Sequence, residues 1–281
     1  MSVPIRDAQR AFGHRITRLV ALPILALVFA VGGLTTTVMP AAAASVKVVI
    51  VVGPVEGSTA KYIATAKSYA ALARSYGASV TEVYSPWATW TKVKSVSSGA
   101  NIFIYLGHGN GYPSPYGAFS NLRKNGMGLN GSSNHGNSNV KYWGQYYMRT
   151  GLHLAPNSVV LLNHLCYASG NSEPGRANPT KSVAMQRADG YGSGFLRSGA
   201  KAMFANGNGS LSSIISDLFL TNKNMAQIFQ TDWSFTGTRD FKFASKHTPG
   251  STVWMDPKEA GRYYHAVSGR LTLTAGQVRA G

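Results

Sequence analysis

Three short apolar runs constrain this chain more than any other feature: residues 46–52 (VKVVIVV), 101–106 (NIFIYL) and 158–165 (SVVLLNHL). Each is close to continuously apolar instead of alternating, as expected of a central strand covered on both faces. Between them the apolar spacing turns helical. Residues 58–76 predict a helix capped by Ser58 or Thr59 and stopped at Gly77. Residues 79–84 predict a second strand, 88–96 a short helix and 143–148 another. Beyond the third run, 180–198 is weakly helical because Gly190, Gly192 and Gly194 interrupt it. A strand over 201–205 and a helix over 211–229 follow, with Thr221-Asn222 able to split the latter. From Asp232 onward the pattern is β-like and aromatic, with short strands at 251–255 and 271–274. Strands alternating with helices predict an α/β fold: a mainly parallel sheet flanked by helices, with a short β-rich C-terminal extension.

The first 44 residues are read apart from this fold. Arg6, Arg10, Arg15 and Arg18 precede an apolar stretch at 19–34, which runs into Ala41–Ala44. That order is expected of an export signal cleaved after Ala44, and Pro23 and the stretch's length argue against a spanning helix. An uncleaved membrane anchor is the alternative. The organisation is then a leader at 1–44, an α/β domain at 45–230 and an extension at 231–281, which is either separate or part of the same fold.

The chain of 281 residues carries 27 Lys+Arg against 10 Asp+Glu and a single Cys. Without the four Arg and one Asp of the leader, the net charge falls from +17 to +14. The basic residues are spread evenly, which argues against a nucleic-acid partner and suits an anionic cell-wall or membrane surface. One Cys excludes an internal disulfide framework and a Cys-rich zinc site, and the histidines have no metal-ligand spacing. Residues 53–59 (GPVEGST) lack the Gly-Lys-Ser/Thr ending of a phosphate loop, and Gly190-x-Gly192-x-Gly194 does not directly follow a strand. Neither a metal nor a cofactor is expected.

In an open parallel sheet, functional groups collect beyond the carboxyl ends of the strands. His108 lies two residues past Leu106 in a Gly-x-Gly turn, and Cys166 closes the third apolar run. Neighbouring strands would bring a thiol nucleophile and an imidazole acid/base to one edge, with the Gly109 and Cys166 N–H groups as an oxyanion hole. A lone Cys at a strand end is also where a small buried hydrophobe sits. His164, two residues before Cys166, lies on the same side of an extended strand, as a second pocket residue or a hydrogen-bonded core histidine. Glu56 follows the first strand and either orients His108 or is a solvated turn acid. Glu173 and Asp189 either face a basic substrate side chain or belong to the surface. The Gly-, Asn- and Tyr-rich segment at 110–140 is a binding loop or a lid.

The run Ile102–Gly109, ending in His-Gly, and the run Val159–Cys166, ending in Cys, resemble the paired motifs of the caspase-like cysteine peptidases. Leu165 stands where that superfamily usually carries a small residue. The resemblance implies a caspase-like sheet and a cysteine endopeptidase acting on peptides or proteins, with Cys166 as nucleophile, His108 as general acid/base and Gly109 as an oxyanion contributor. Pocket acids select Arg or Lys in some of those relatives, a role that the resemblance offers to Glu173 or Asp189 here. The alternative is a non-catalytic module of the same fold that binds cell-envelope polymers through a basic face and the aromatic loop.

Overall fold

The computed structural model describes residues 45–281; the expected leader lies outside them. In chain order the first strands are β1 (Lys47–Val52), β2 (Ser79–Tyr84), β3 (Ile102–Leu106), β4 (Met127–Asn130) and β5 (Val140–Trp143). The remainder are β6 (Val159–Asn163), β7 (Ala202–Asn206), β8 (Phe241–Ala244), β9 (Thr252–Met255) and β10 (His265–Gly269). Eight of them form one sheet in the order β2-β1-β3-β6-β7-β10-β9-β8. It is parallel from β2 to β7 and antiparallel from β7 to β8. The fold is therefore α/β with a mainly parallel sheet, and the C-terminal strands extend that sheet.

Successive strand residues point to opposite faces, and here both faces are covered. Val48, Ile50 and Val52 pack under α1 (Thr59–Ser75), α5 (Ser212–Leu220), α6 (Met225–Thr231) and α7 (Ala275–Ala280). Val49, Val51, Phe103 and Tyr105 pack under α2 (Trp90–Ser97), α3 (Gln145–Gly151) and α4 (Lys181–Leu196). Side chains that bury completely on both faces account for the missing alternation in the sequence. Thr89 and Thr180 cap α2 and α4, while Asn224 and Thr274 form capping boxes with Gln227 and Gln277. Each cap contributes about 1 kcal/mol. Among the described residues no helix is long and apolar enough to cross a membrane.

Four local expectations change. The third apolar run ends as a strand at Asn163, because His164 takes a positive φ of 59°. The segment at 110–140 holds an antiparallel hairpin, β4–β5. Residues 271–272 form a turn, Leu273 is buried and Thr274 makes only an isolated bridge with Asn224, so the last strand is His265–Gly269 instead. Its sequence, HAVSG, has little strand propensity; pairing with β7 on one side and β9 on the other imposes the extended form. The α4 glycines interrupt nothing. A Cβ at Gly192 would stand 2.6 Å from Ser268 Oγ, and one at Gly190 2.8 Å from Asn125 Nδ2. They let the helix lie close against β10 and the segment before β4.

Candidate functional site

The strand order reverses at β1, so β1 and β3 flank the crevice where α/β sheets place ligands. Glu56 leaves β1 in a short 3-10 turn, and His108 leaves β3 two residues beyond Leu106. The Glu56 N–H donates to Asn137 O in the β4–β5 loop at 3.1 Å, which holds the turn in place. Gly128 N–H donates to the His108 carbonyl at 3.1 Å, fixing the histidine turn against β4. His108 Nε2 then reaches Glu56 Oε2 at 3.1 Å. A carboxylate only accepts, so Nε2 carries the proton and Nδ1 is left as the basic nitrogen. Glu56 thus bonds the His108 ring while its own side chain stays 58% exposed.

Cys166 follows β6, whose residue Asn163 is in register with Leu106 of β3. His108 and Cys166 therefore stand two and three residues beyond one registered pair of adjacent parallel strands. The two turns touch through their backbones: a Cβ on Gly109 would lie 2.2 Å from the Cys166 carbonyl oxygen and 2.6 Å from Tyr191 Oη. Only glycine fits. The Gly109 and Cys166 N–H groups find no hydrogen-bond acceptor among the described residues, as an oxyanion hole requires. His164 and Tyr167, on either side of Cys166, have φ of 59° and 71°. Non-glycine residues in this region cost about 1 kcal/mol or more and cluster at functional sites. Replacing Gly109 with Ala is expected to force the two turns apart, lowering stability by about 1–3 kcal/mol. Thermal melting and labelling of Cys166 by a thiol reagent would measure both consequences.

His108, Gly109 and Cys166 line a single cleft of about 770 Å³ together with Glu173, Tyr116 and Tyr142. Its outer wall is the loop around Tyr116 and Phe119. Lys124, only 2% exposed, holds this wall: its Nζ donates to Asn110 Oδ1 at 2.9 Å, Ser114 Oγ at 2.8 Å and Tyr116 O at 2.9 Å. Arg187, buried in α4, joins the wall to the segment after Cys166 through Pro113 O at 2.7 Å and Asn171 O at 3.0 Å. Tyr116 Oη donates to Glu173 Oε2 at 2.6 Å. Burial raises the Cys166 thiol to about 11, and the Glu173 carboxylate adds to that rise. Burial pulls Lys124 below the ordinary lysine value, with Arg123 acting the same way and Glu173 opposing.

Glu173 thus stands in the cleft, engaged by Tyr116 and countering nearby buried cations. Asp189 does not line that cleft. It is buried in α4, where its carboxylate accepts from Ser245 Oγ and from Lys246 N at 2.9 Å. It anchors the turn after β8 and is not the surface acid that one of its two readings made it. His164 is also outside the cleft lining. Its ring packs on Tyr62 of α1 with centroids 5.3 Å apart, and burial, aided by the Lys61 charge, lowers its pKa. The positive φ at His164 breaks the extended geometry that would have set it beside Cys166. Leu165 is 1% exposed and belongs to the core beneath α4, so its bulk points away from the cleft. Lys124 and Arg187 carried no sequence signal, since a cation satisfied by carbonyls and amides needs no partner of recognisable spacing.

A second group of ionisable side chains lies farther along the same edge. His265, at the start of β10, sits 2.8 Å from Asp232 and 3.7 Å from Asp256, and all three are at most 3% exposed. Asn206 at the end of β7 donates to Asp232 at 3.0 Å, and Ser213 donates to it at 2.6 Å. Among the described residues no group of three or more His, Cys, Asp or Glu side chains has the geometry to hold a metal ion.

No family model matches the chain, and neither a curated protein nor a solved structure does.

Proposed function

We propose that the protein is an exported cysteine endopeptidase of caspase-like type, with Cys166 as nucleophile, His108 as general acid/base and Glu56 as the residue that orients the imidazole. The observation that carries this reading is the meeting of the His108 and Cys166 turns at the carboxyl edge of two registered strands, with Glu56 bonded to the imidazole. The sequence motifs that resemble that superfamily end at these same two side chains.

Chemically, the thiol does not rest as a free thiolate, because burial and Glu173 keep it protonated. The Cys166 proton passes to His108 Nδ1 as sulfur bonds to the substrate carbonyl carbon. The carbonyl oxygen takes up negative charge against the Gly109 and Cys166 N–H groups. Imidazolium, steadied by Glu56, returns the proton to the leaving amine as the peptide bond breaks. Water, deprotonated by the same imidazole, then releases the acyl group and regenerates the thiol.

The raised thiol is also the observation that favours a second reading, a non-catalytic module that binds anionic envelope polymers. Alkylation separates the two. An endopeptidase is expected to react with a peptidyl chloromethyl ketone at Cys166 near neutral pH, while simple iodoacetamide reacts appreciably only as the pH climbs toward 11. His108→Ala should abolish the first reaction and spare the second. A Cys166 that ignores the chloromethyl ketone in folded protein at pH 7, with envelope attachment weakened by salt, would leave the binding module as the better account. Glu56→Gln is expected to lower kcat about tenfold with little change in KM, since it removes the charge that steadies the imidazolium but keeps an acceptor oxygen. A steady-state comparison with wild type would check this.

A further inference from the structure

The cleft does not end at Phe119. The same ring lines a second hollow of about 340 Å³, shared with Tyr112, Gln145 and Gln186. Gln186 and His247 in turn line a third, of about 320 Å³, with Lys181, Lys246 and Phe243. The three hollows share lining residues and so follow one another in series, from Cys166 past the aromatic loop to the exposed flank of α4.

The chemistry changes along this path. Tyr112 and Phe119 pack edge to face, with centroids 5.4 Å apart, and both are substantially exposed. Beside them Asn125 Nδ2 donates to Gln145 Oε1 at 3.2 Å, leaving the Gln145 amide N–H groups free to donate. Aromatic walls with free amides suit an extended peptide, whose backbone offers carbonyls and N–H groups at each residue. At the far end the exposed charges are positive. Lys181, Lys246 and His247 face solvent, and no carboxylate stands within ion-pair reach of either lysine among the described residues. The Lys181 ammonium rests 3.9 Å over the Phe241 ring. Asp189, the acid that borders this end, is buried and already bonded to Ser245 and Lys246.

From this geometry we infer that the groove along α4 is an exosite for an extended peptide with acidic residues well removed from the bond placed at Cys166. This rests on the endopeptidase reading for the identity of the near end, but the binding itself does not require turnover. Lys181 and Lys246 select the acidic residues, and Phe119 is the shared wall over which the chain passes.

Fluorescence anisotropy on the full chain carrying Cys166→Ala tests it with three fluorescein-labelled twelve-residue peptides. One has a neutral Gly/Ser sequence, one ends in four Glu and one ends in four Lys. The Glu peptide is expected to bind at least tenfold more tightly than the Lys peptide at low salt. Lys181→Glu with Lys246→Glu should remove that preference and leave the neutral peptide unchanged, and Phe119→Ala should weaken all three. Lys258→Glu, which lies outside the groove, should change nothing. Equal binding of the Glu and Lys peptides overturns the inference. So does an equal loss with Lys258→Glu, because net charge would then be the cause. Inorganic polyphosphate competing as strongly as the Glu peptide, and losing its hold in the same double variant, overturns the peptide class. Wild type that binds the Glu peptide yet cleaves no peptide sinks the endopeptidase reading and leaves the exosite standing.

Discussion

Cys166→Ser and His108→Ala are each expected to lower kcat/KM for peptide hydrolysis by about a thousandfold or more, and the double variant should lose little beyond either single one. Groups that act as one unit give this non-additivity, because a nucleophile without its base and a base without its nucleophile fail alike. The fold should survive both changes. Cys166 is only partly buried and Ser is close to it in size, while the His108 carbonyl is held by the Gly128 N–H of β4 and the Tyr105 hydroxyl, neither of which involves the imidazole. Circular dichroism and the melting temperature should match wild type while hydrolysis vanishes. Full additivity of the two losses, or activity in folded Cys166→Ser protein, would rule out the dyad.

The second large effect is expected from His265, which has no part in that chemistry. Its removal as His265→Ala leaves the Asp232 and Asp256 carboxylates buried without their shared counter-charge, a change that typically costs about 3–5 kcal/mol. Urea unfolding at pH 6 should show it, and adding Asp232→Asn to His265→Ala should recover part of the loss. The network also sets a pH window. Burial alone would lower the His265 pKa, but the two carboxylates outweigh it and the pKa is raised. Its contribution is therefore full below the ordinary histidine value of about 6.5 and fades as pH rises through the higher folded value. For Asp232 and Asp256, burial raises the pKa while His265 and the other hydrogen bonds lower it further, and the lowering wins. Their contribution is full above about 3.9 and fades as pH falls through the lower folded values. Wild type should thus be most stabilised by this network between about pH 4 and 6.5, and His265→Gln should flatten the decline above that window.

The parallel half of the sheet was legible because its strands are buried on both faces and advertise this as unbroken apolar runs. His108, Cys166 and Gly109 were legible for a related reason: they stand directly after such runs, where chain order alone sets position. Glu56 could be nominated by the same logic, although the sequence left its role open. The rest depended on contacts distant in sequence. Nothing around Asp189 announces that Ser245 and Lys246 close over it. The positive φ at His164 has no residue signature, and with it the ring packs on Tyr62 outside the cleft. The β10 strand is weak in propensity and exists because β7 and β9 offer it partners. Lys124 looks like any surface lysine until its three acceptors are gathered from the loop before it.

The registered pairing of Leu106 with Asn163 also decides where this chain can change length. One residue gained between Leu106 and His108, or between Asn163 and Cys166, would turn a reactive side chain away from the edge. Residues gained at the tip of the β4–β5 hairpin leave both spacings untouched. Around Ser133 that tip is exposed, with Asn137 beyond it still bonded to the Glu56 turn. A short epitope or reporter peptide spliced in after Ser133 is thus an insertion that the sheet can absorb, giving a handle on the molecule that keeps the register between β3 and β6.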